Sequence, residues 1–173
     1  YLQTHFNGSF TALIAAAGAS AERLVHLLVE MPCFKDVALY DGRQVAFFKR
    51  AQLTAADLAL AFDGQGPGRF EDLDRLTIFA DNLVPHVLRV DNILIYHEKL
   101  CSQIDAGERI AAGSKAEIEI RACALHAVEL IKTALIASGK KINAMALDFL
   151  LWNRGQQPKY KSIPRHRTRT VFY

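Results

Sequence analysis

Cysteine is scarce and unpaired in this sequence. Cys33, Cys101 and Cys123 are far apart and odd in number, which excludes a disulfide framework and any paired-cysteine metal spacing. Reduced, buried thiols in a cytoplasmic protein are the expected reading. The six histidines are scattered as well. None forms a paired-ligand pattern, so neither a zinc site nor any other metal site is expected, and no cofactor is implied. Long apolar runs are also missing. Each is broken by Asp, Glu, Arg or Lys, so no segment could span a bilayer, and no signal peptide is visible. Charge of one sign is barely in excess. The formal net charge is +3, too mild for a protein that coats nucleic acid but compatible with binding a small phosphate. Repeats and low-complexity segments are absent.

What is there suits one helical domain over residues 1–173. The chain is 51% hydrophobic and 23% charged, and a chain of this length can bury a real core. Ser9 to Met31 reads as helix, broken near Gly18 and stopped by Pro32. Val37 and Leu39, then Val45 and Phe47, alternate around Asp41-Gly42, a good hairpin signal. Lys49 to Phe62 returns to helix, with Leu53, Leu58 and Phe62 expected to face inward. Gly64, Gly66, Pro67 and Gly68 form a loop, but no Lys-Ser/Thr follows, so it is no phosphate loop.

Asp74 to Val90 reads as helix that Pro85 kinks or stops. A shorter helix follows over His97 to Ala106. Ser114 and Glu117 form a capping box that opens a long helix from Lys115 to about Ser138. Its inward stripe is Ile118, Leu125, Val128 and Ile131, and Gly139 ends it. Asn143 caps a last helix to Trp152. Arg154 to Ile163 reads as a polar loop, followed by the tail from Pro164 to Tyr173. The fold class is therefore mainly α with one short β-hairpin. Strand–helix alternation is missing, which disfavours a doubly wound nucleotide fold.

Three segments could carry chemistry. Phe47-Phe48-Lys49-Arg50-Ala51-Gln52 puts two cations at a helix start, against the macrodipole, where a carboxylate or a bound anion would compensate. A solvated pair of charges is the simpler alternative. Asp81 lies four residues before Pro85 in an apolar stretch, so it either faces a cleft or caps the chain there. The tail from Ile163 to Tyr173 alternates cations with hydroxyls that could bind phosphate. Its Val-Phe-Tyr ending is too apolar to stay free, although a disordered basic tail remains an alternative. Glu119 and Asp148 are candidates for reading a base edge, with capping and ion pairing as the default for both.

The residues also carry a resemblance. Phe34-Lys35-Asp36-Val37, Phe47 to Asp57 (FFKRAQLTAAD), Leu76 to Pro85 (LTIFADNLVP), Gly113 to Arg121 (GSKAEIEIR), Asn143 to Trp152 (NAMALDFLLW) and Ile163 to Tyr173 (IPRHRTRTVFY) occur in this order. Together they resemble the queuosine 5'-phosphate N-glycosylases of queuosine salvage, from about Ser9 to the last residue. The sequence departs from that pattern at Phe48, where Tyr is usual, and at Asn82-Leu83, which replaces a more aromatic and basic pair. It departs again at Asn153, where Asp is usual, and at Arg165, where an aromatic is common. The resemblance implies a fold similar to helix-hairpin-helix DNA glycosylases. It also implies a comparable helical segment before Tyr1, which itself falls in a helical pattern.

The implied reaction is hydrolysis of queuosine 5'-phosphate to queuine and ribose 5-phosphate, salvaging queuine for tRNA modification. Lys49 and Asp81 match the catalytic pair. Asp81 would stabilise positive charge at the anomeric carbon and accept a proton from water. Lys49 would orient Asp81 and the water, or act on the departing base. A Schiff base through Lys49 ranks lower. His166, Arg167 and Arg169 are the expected phosphate ligands. Phe47, Trp152, Glu119 and Asp148 are expected at the base and its cationic side arm. The expected partner is the small nucleotide substrate, with no stable nucleic-acid partner and no membrane, and a monomer is expected. Two other readings remain: a DNA-glycosylase-like base-excision enzyme, and a non-catalytic helical interaction module.

Overall fold

The computed structural model describes residues 1–173. The chain is a set of helices with one two-stranded antiparallel ribbon. Short helices α1 (Leu2–Phe6), α2 (Phe10–Ala16) and α3 (Ala21–Leu28) come first. Gly18 and Ala19 both have positive φ, which makes the break foreseen near Gly18, and Ser20 caps α3 through the Arg23 N–H. Strands β1 (Val37–Tyr40) and β2 (Arg43–Ala46) pair as the alternation predicts. Asp41 and Gly42 between them have φ of 45° and 80°. Two successive positive values make the type I′ turn that suits the twist of a hairpin.

Helix α4 (Lys49–Ala61) follows at once. Leu53 and Leu58 pack against the core as expected but are only partly buried, and small residues form the innermost face. Ala51, Gln52, Ala55, Ala56 and Ala59 are buried, whereas Phe62 is 47% exposed. Small side chains let α3 pack close against this face, which leaves the larger residues on the flanks.

The expected helix over Asp74 to Val90 is the main departure. A short 3₁₀ turn forms over Leu73–Arg75, and the only α-helix is α5 (Val84–Val90). Before it, residues 76–80 run without helix, because they bury side chains on two sides. Leu76 and Phe79 enter a core made with α2, α3 and α4. Ile78 and Ala80 enter a second core with α5 and two later helices, α7 (Lys115–Ala137) and α8 (Ala144–Gly155). A helix could not divide consecutive residues between opposite sides in this way. Pro85 falls in the first turn of α5, where its missing N–H costs nothing.

Between α5 and α7 lies α6 (Glu98–Asp105). Ser114 caps α7 through the Glu117 N–H, and the Glu117 carboxylate answers by accepting the Gly113 N–H. Helix α8 runs three residues past Trp152 to Gly155. A Cβ at Gly155 would come within 2.8–2.9 Å of Leu83 and Val87, so glycine allows the close α5–α8 contact. The stretch expected as polar loop contains α9 (Pro158–Lys161), whose Tyr160 is buried in the second core. No helix is long and apolar enough to cross a membrane.

Candidate active site

The segment between the two cores is fixed from both sides. On the α4 side, Gln52 accepts the Thr77 N–H at 2.8 Å and donates to the Phe47 carbonyl and the Thr77 hydroxyl, each at 2.9 Å. On the α8 side, Asp148 accepts the Phe79 N–H at 2.8 Å. Asp81 lies at the end of this segment. Its Oδ1 accepts the N–H groups of Leu83 at 2.7 Å and Val84 at 3.2 Å, and so caps α5. Capping and cleft exposure, read as alternatives in the sequence, are therefore combined in one residue. Oδ1 serves the helix and Oδ2 has no protein partner.

A cavity of about 420 Å³ opens at this seam, lined by Lys49, Leu53, Asp57, Phe79, Asp81, Asp148, Phe149, Trp152 and Asn153. Lys49 enters from the first turn of α4, and Asp148 and Trp152 from α8. Phe79 and Phe149 meet edge to face with centroids 6.0 Å apart. Lys49 lines the cavity with the three carboxylates, and its charge acts on Asp57 and Asp148. The carboxylates do not come together as ligands of one metal ion. Burial pushes the Asp148 carboxyl up to about 7, and the Asp81 charge adds to this, while the Phe79 N–H and Lys49 oppose it. Asp148 is thus a carboxyl that carries a proton for much of the time near neutral pH.

Of the residues singled out from the sequence, the cavity gathers Lys49, Asp81, Asp148 and Trp152. The others lie elsewhere. Phe47 is buried beneath Arg121, with the guanidinium carbon 3.9 Å from its ring centroid. Glu119 accepts the Tyr40 hydroxyl at 2.6 Å and borders a separate surface groove with His97 and Lys99. His166 is buried, and burial pushes its imidazole down to about 4, so it is uncharged near neutral pH. Arg167 lines a different hollow with His86, Lys161 and Arg165, and its carbonyl accepts the Ile110 N–H. Arg169 is exposed.

Asp57 and Phe149 escaped sequence reading. A signal was present for Asp57. Lys49, Leu53 and Asp57 recur every four residues, which places them along one face of α4.

Beneath the cavity lies a buried polar knot. Arg121 donates to the Ala80 carbonyl at 2.9 Å, to both oxygens of Asp36 and to Glu117. Its other face meets the Tyr173 ring, 4.7 Å from the centroid, and the Tyr173 hydroxyl donates to Glu117 at 2.7 Å. Asp36 in turn accepts the backbone N–H of Lys49 at 3.3 Å. One guanidinium thus braces the residue before Asp81, the start of the Lys49 helix and the docked tail.

The whole chain, residues 1–173, matches the family model described as "Queuosine salvage protein". A relative from Sphaerobacter thermophilus, named queuosine 5'-phosphate N-glycosylase/hydrolase, is 46% identical over 99% of this chain and 54% of its own length. Relatives of the same name from Dictyostelium discoideum and Mus musculus are 39% and 38% identical, over 98% and 97% of this chain and 53% of each relative. The chain spans about half the length of the curated relatives it matches. On this evidence the chain belongs to the queuosine salvage protein family.

Proposed function

We propose that this chain carries the catalytic groups of an N-glycosidase that hydrolyses queuosine 5'-phosphate to queuine and ribose 5-phosphate. The observation that supports this most is the convergence of Asp81, Asp148 and Lys49 in one aromatic-walled cavity. The names of the relatives supply the substrate.

Cleaving an N-glycosidic bond builds positive charge at the anomeric carbon as the bond to the base lengthens. Asp81 faces this charge and accepts a proton from the attacking water. The water oxygen bonds to the anomeric carbon, and the electron pair of the broken C–N bond leaves with the base. Asp148 holds a proton near neutral pH and gives it to the departing base. Two carboxyl groups in unlike surroundings thereby divide the base and acid roles. Lys49, in the wall of the same cavity, supplies a positive charge that orients the water and the leaving base. Phe79, Phe149 and Trp152 provide flat apolar walls for the ring.

The test is to incubate the protein with queuosine 5'-phosphate and measure free queuine. Asp81→Asn keeps an oxygen that can accept the Leu83 and Val84 N–H groups, so the fold is preserved while turnover is lost. Near-normal turnover by this variant would remove Asp81 from the mechanism.

A further inference from the structure

Lys49 and Asp81 come from different elements, and Arg121 touches the supports of both. Its Nε donates to the carbonyl of Ala80, the residue before Asp81, at 2.9 Å. Its Nη1 and Nη2 donate to the two oxygens of Asp36. Asp36 in turn holds three successive N–H groups at the head of α4. Its carbonyl accepts from Phe47 at 2.9 Å and from Phe48 at 3.2 Å, and its carboxylate accepts from Lys49 at 3.3 Å. These bonds hold Phe48 at a φ of 49°, a left-handed conformation that a bulky residue rarely adopts.

The guanidinium can serve both supports only while its plane is fixed. Two rings pack against it, Phe47 at 3.9 Å and Tyr173 at 4.7 Å from the guanidinium carbon to the ring centroid. The Tyr173 hydroxyl donates to Glu117 Oε1 at 2.7 Å, the same oxygen that accepts from Arg121 Nη1. Burial and this hydrogen bond push the hydroxyl well above its ordinary range, so it stays a donor. Two residues earlier, the Val171 carbonyl accepts from Arg50, the neighbour of Lys49, at 3.1 Å. The segment from Val171 to Tyr173 thus grips both the guanidinium and the helix that carries Lys49, while none of its residues lines the cavity.

We propose that Tyr173 is a positioning residue that clamps Arg121 and so sets the placement of Lys49 relative to Asp81. This rests on the N-glycosidase reading for the roles of Lys49 and Asp81, and adds control of their spacing from outside the cavity.

The wild type, Tyr173→Ala and Tyr173→Phe are compared for queuine release from queuosine 5'-phosphate and for amide hydrogen exchange. In Tyr173→Ala, kcat falls by about tenfold or more, because a misplacement of about 1 Å can cost a hundredfold. KM, which reflects the cavity walls, stays within about twofold. Exchange quickens together at Phe47 to Lys49 and at Leu83 and Val84, whose N–H groups Asp81 accepts. Tyr173→Phe keeps a ring on Arg121 and recovers most of both effects. Ile104→Ala, in the separate small core with Ile110 and Ile120, lowers the urea midpoint but leaves kcat unchanged. Should Tyr173→Ala fail to fold, Tyr173→Leu takes its place.

The proposal is overturned if Tyr173→Ala turns over at the wild-type rate, if Tyr173→Phe is equally impaired, or if Ile104→Ala loses as much turnover. If the wild type releases no queuine, the N-glycosidase reading falls and exchange still decides the clamp. Joint loosening of the two segments then upholds it, and unchanged exchange at either one overturns it.

Discussion

Asp36 accepts two hydrogen bonds from Arg121, at 3.1 and 2.5 Å, with both side chains almost wholly buried. A buried pair of this kind adds little over an apolar pair of the same shape, but removing one partner leaves an uncompensated charge. Asp36→Ala is expected to lower stability by about 3–5 kcal/mol, read as a shift of the urea midpoint. Because Asp36 also holds the Lys49 N–H, the start of α4 should loosen too, seen as faster amide exchange there.

Lys49 bears on the Asp148 carboxyl as well as, in the proposed mechanism, on substrate. Its charge holds that carboxyl below the level that burial and Asp81 would otherwise set. Lys49→Met keeps a good helix former at the head of α4 and removes the charge. The Asp148 carboxyl should then titrate at higher pH, followed through its side-chain carbon resonance. Turnover should fall by about a hundredfold or more.

Asp148 also makes stability depend on pH. Its carboxyl rises from 3.8 to about 7 on folding, so the folded state holds its proton longer than the unfolded chain does. Below about pH 4 both states are protonated and stability is highest. It falls as pH rises through the window between the two values and is level above it, a loss of up to about 4 kcal/mol. Asp148→Asn should flatten this window and exceed the wild type at pH 8, while its amide oxygen still accepts the Phe79 N–H. Denaturation midpoints at pH 5 and pH 8 check both expectations.

Periodicity and capping made most of the helices legible, and the hairpin was plain from Asp41-Gly42. The stretch from Leu76 to Ala80 was not. Its apolar residues fit a helix as well as an extended chain, and only the existence of two cores, one on each side, decides between them. The same long-range packing explains the unequal outcome at the site. Lys49, Asp81, Asp148 and Trp152 come from three motifs that meet at the seam. Phe47 belongs to the same motif as Lys49 but lies beneath Arg121. The tail could be seen to dock, since it ends in apolar residues. Which hollow its cations border depends on α9, and the polar composition of Gln156 to Lys161 concealed that helix.

Trp152 is the only tryptophan in the chain, and it stands in the cavity wall, 45% exposed. The chain therefore carries a single tryptophan fluorophore, selectively excited apart from its tyrosines, in the wall of the proposed ligand cavity. Its emission should shift to shorter wavelength as the cavity fills, so occupancy can be followed without a label and separately from turnover.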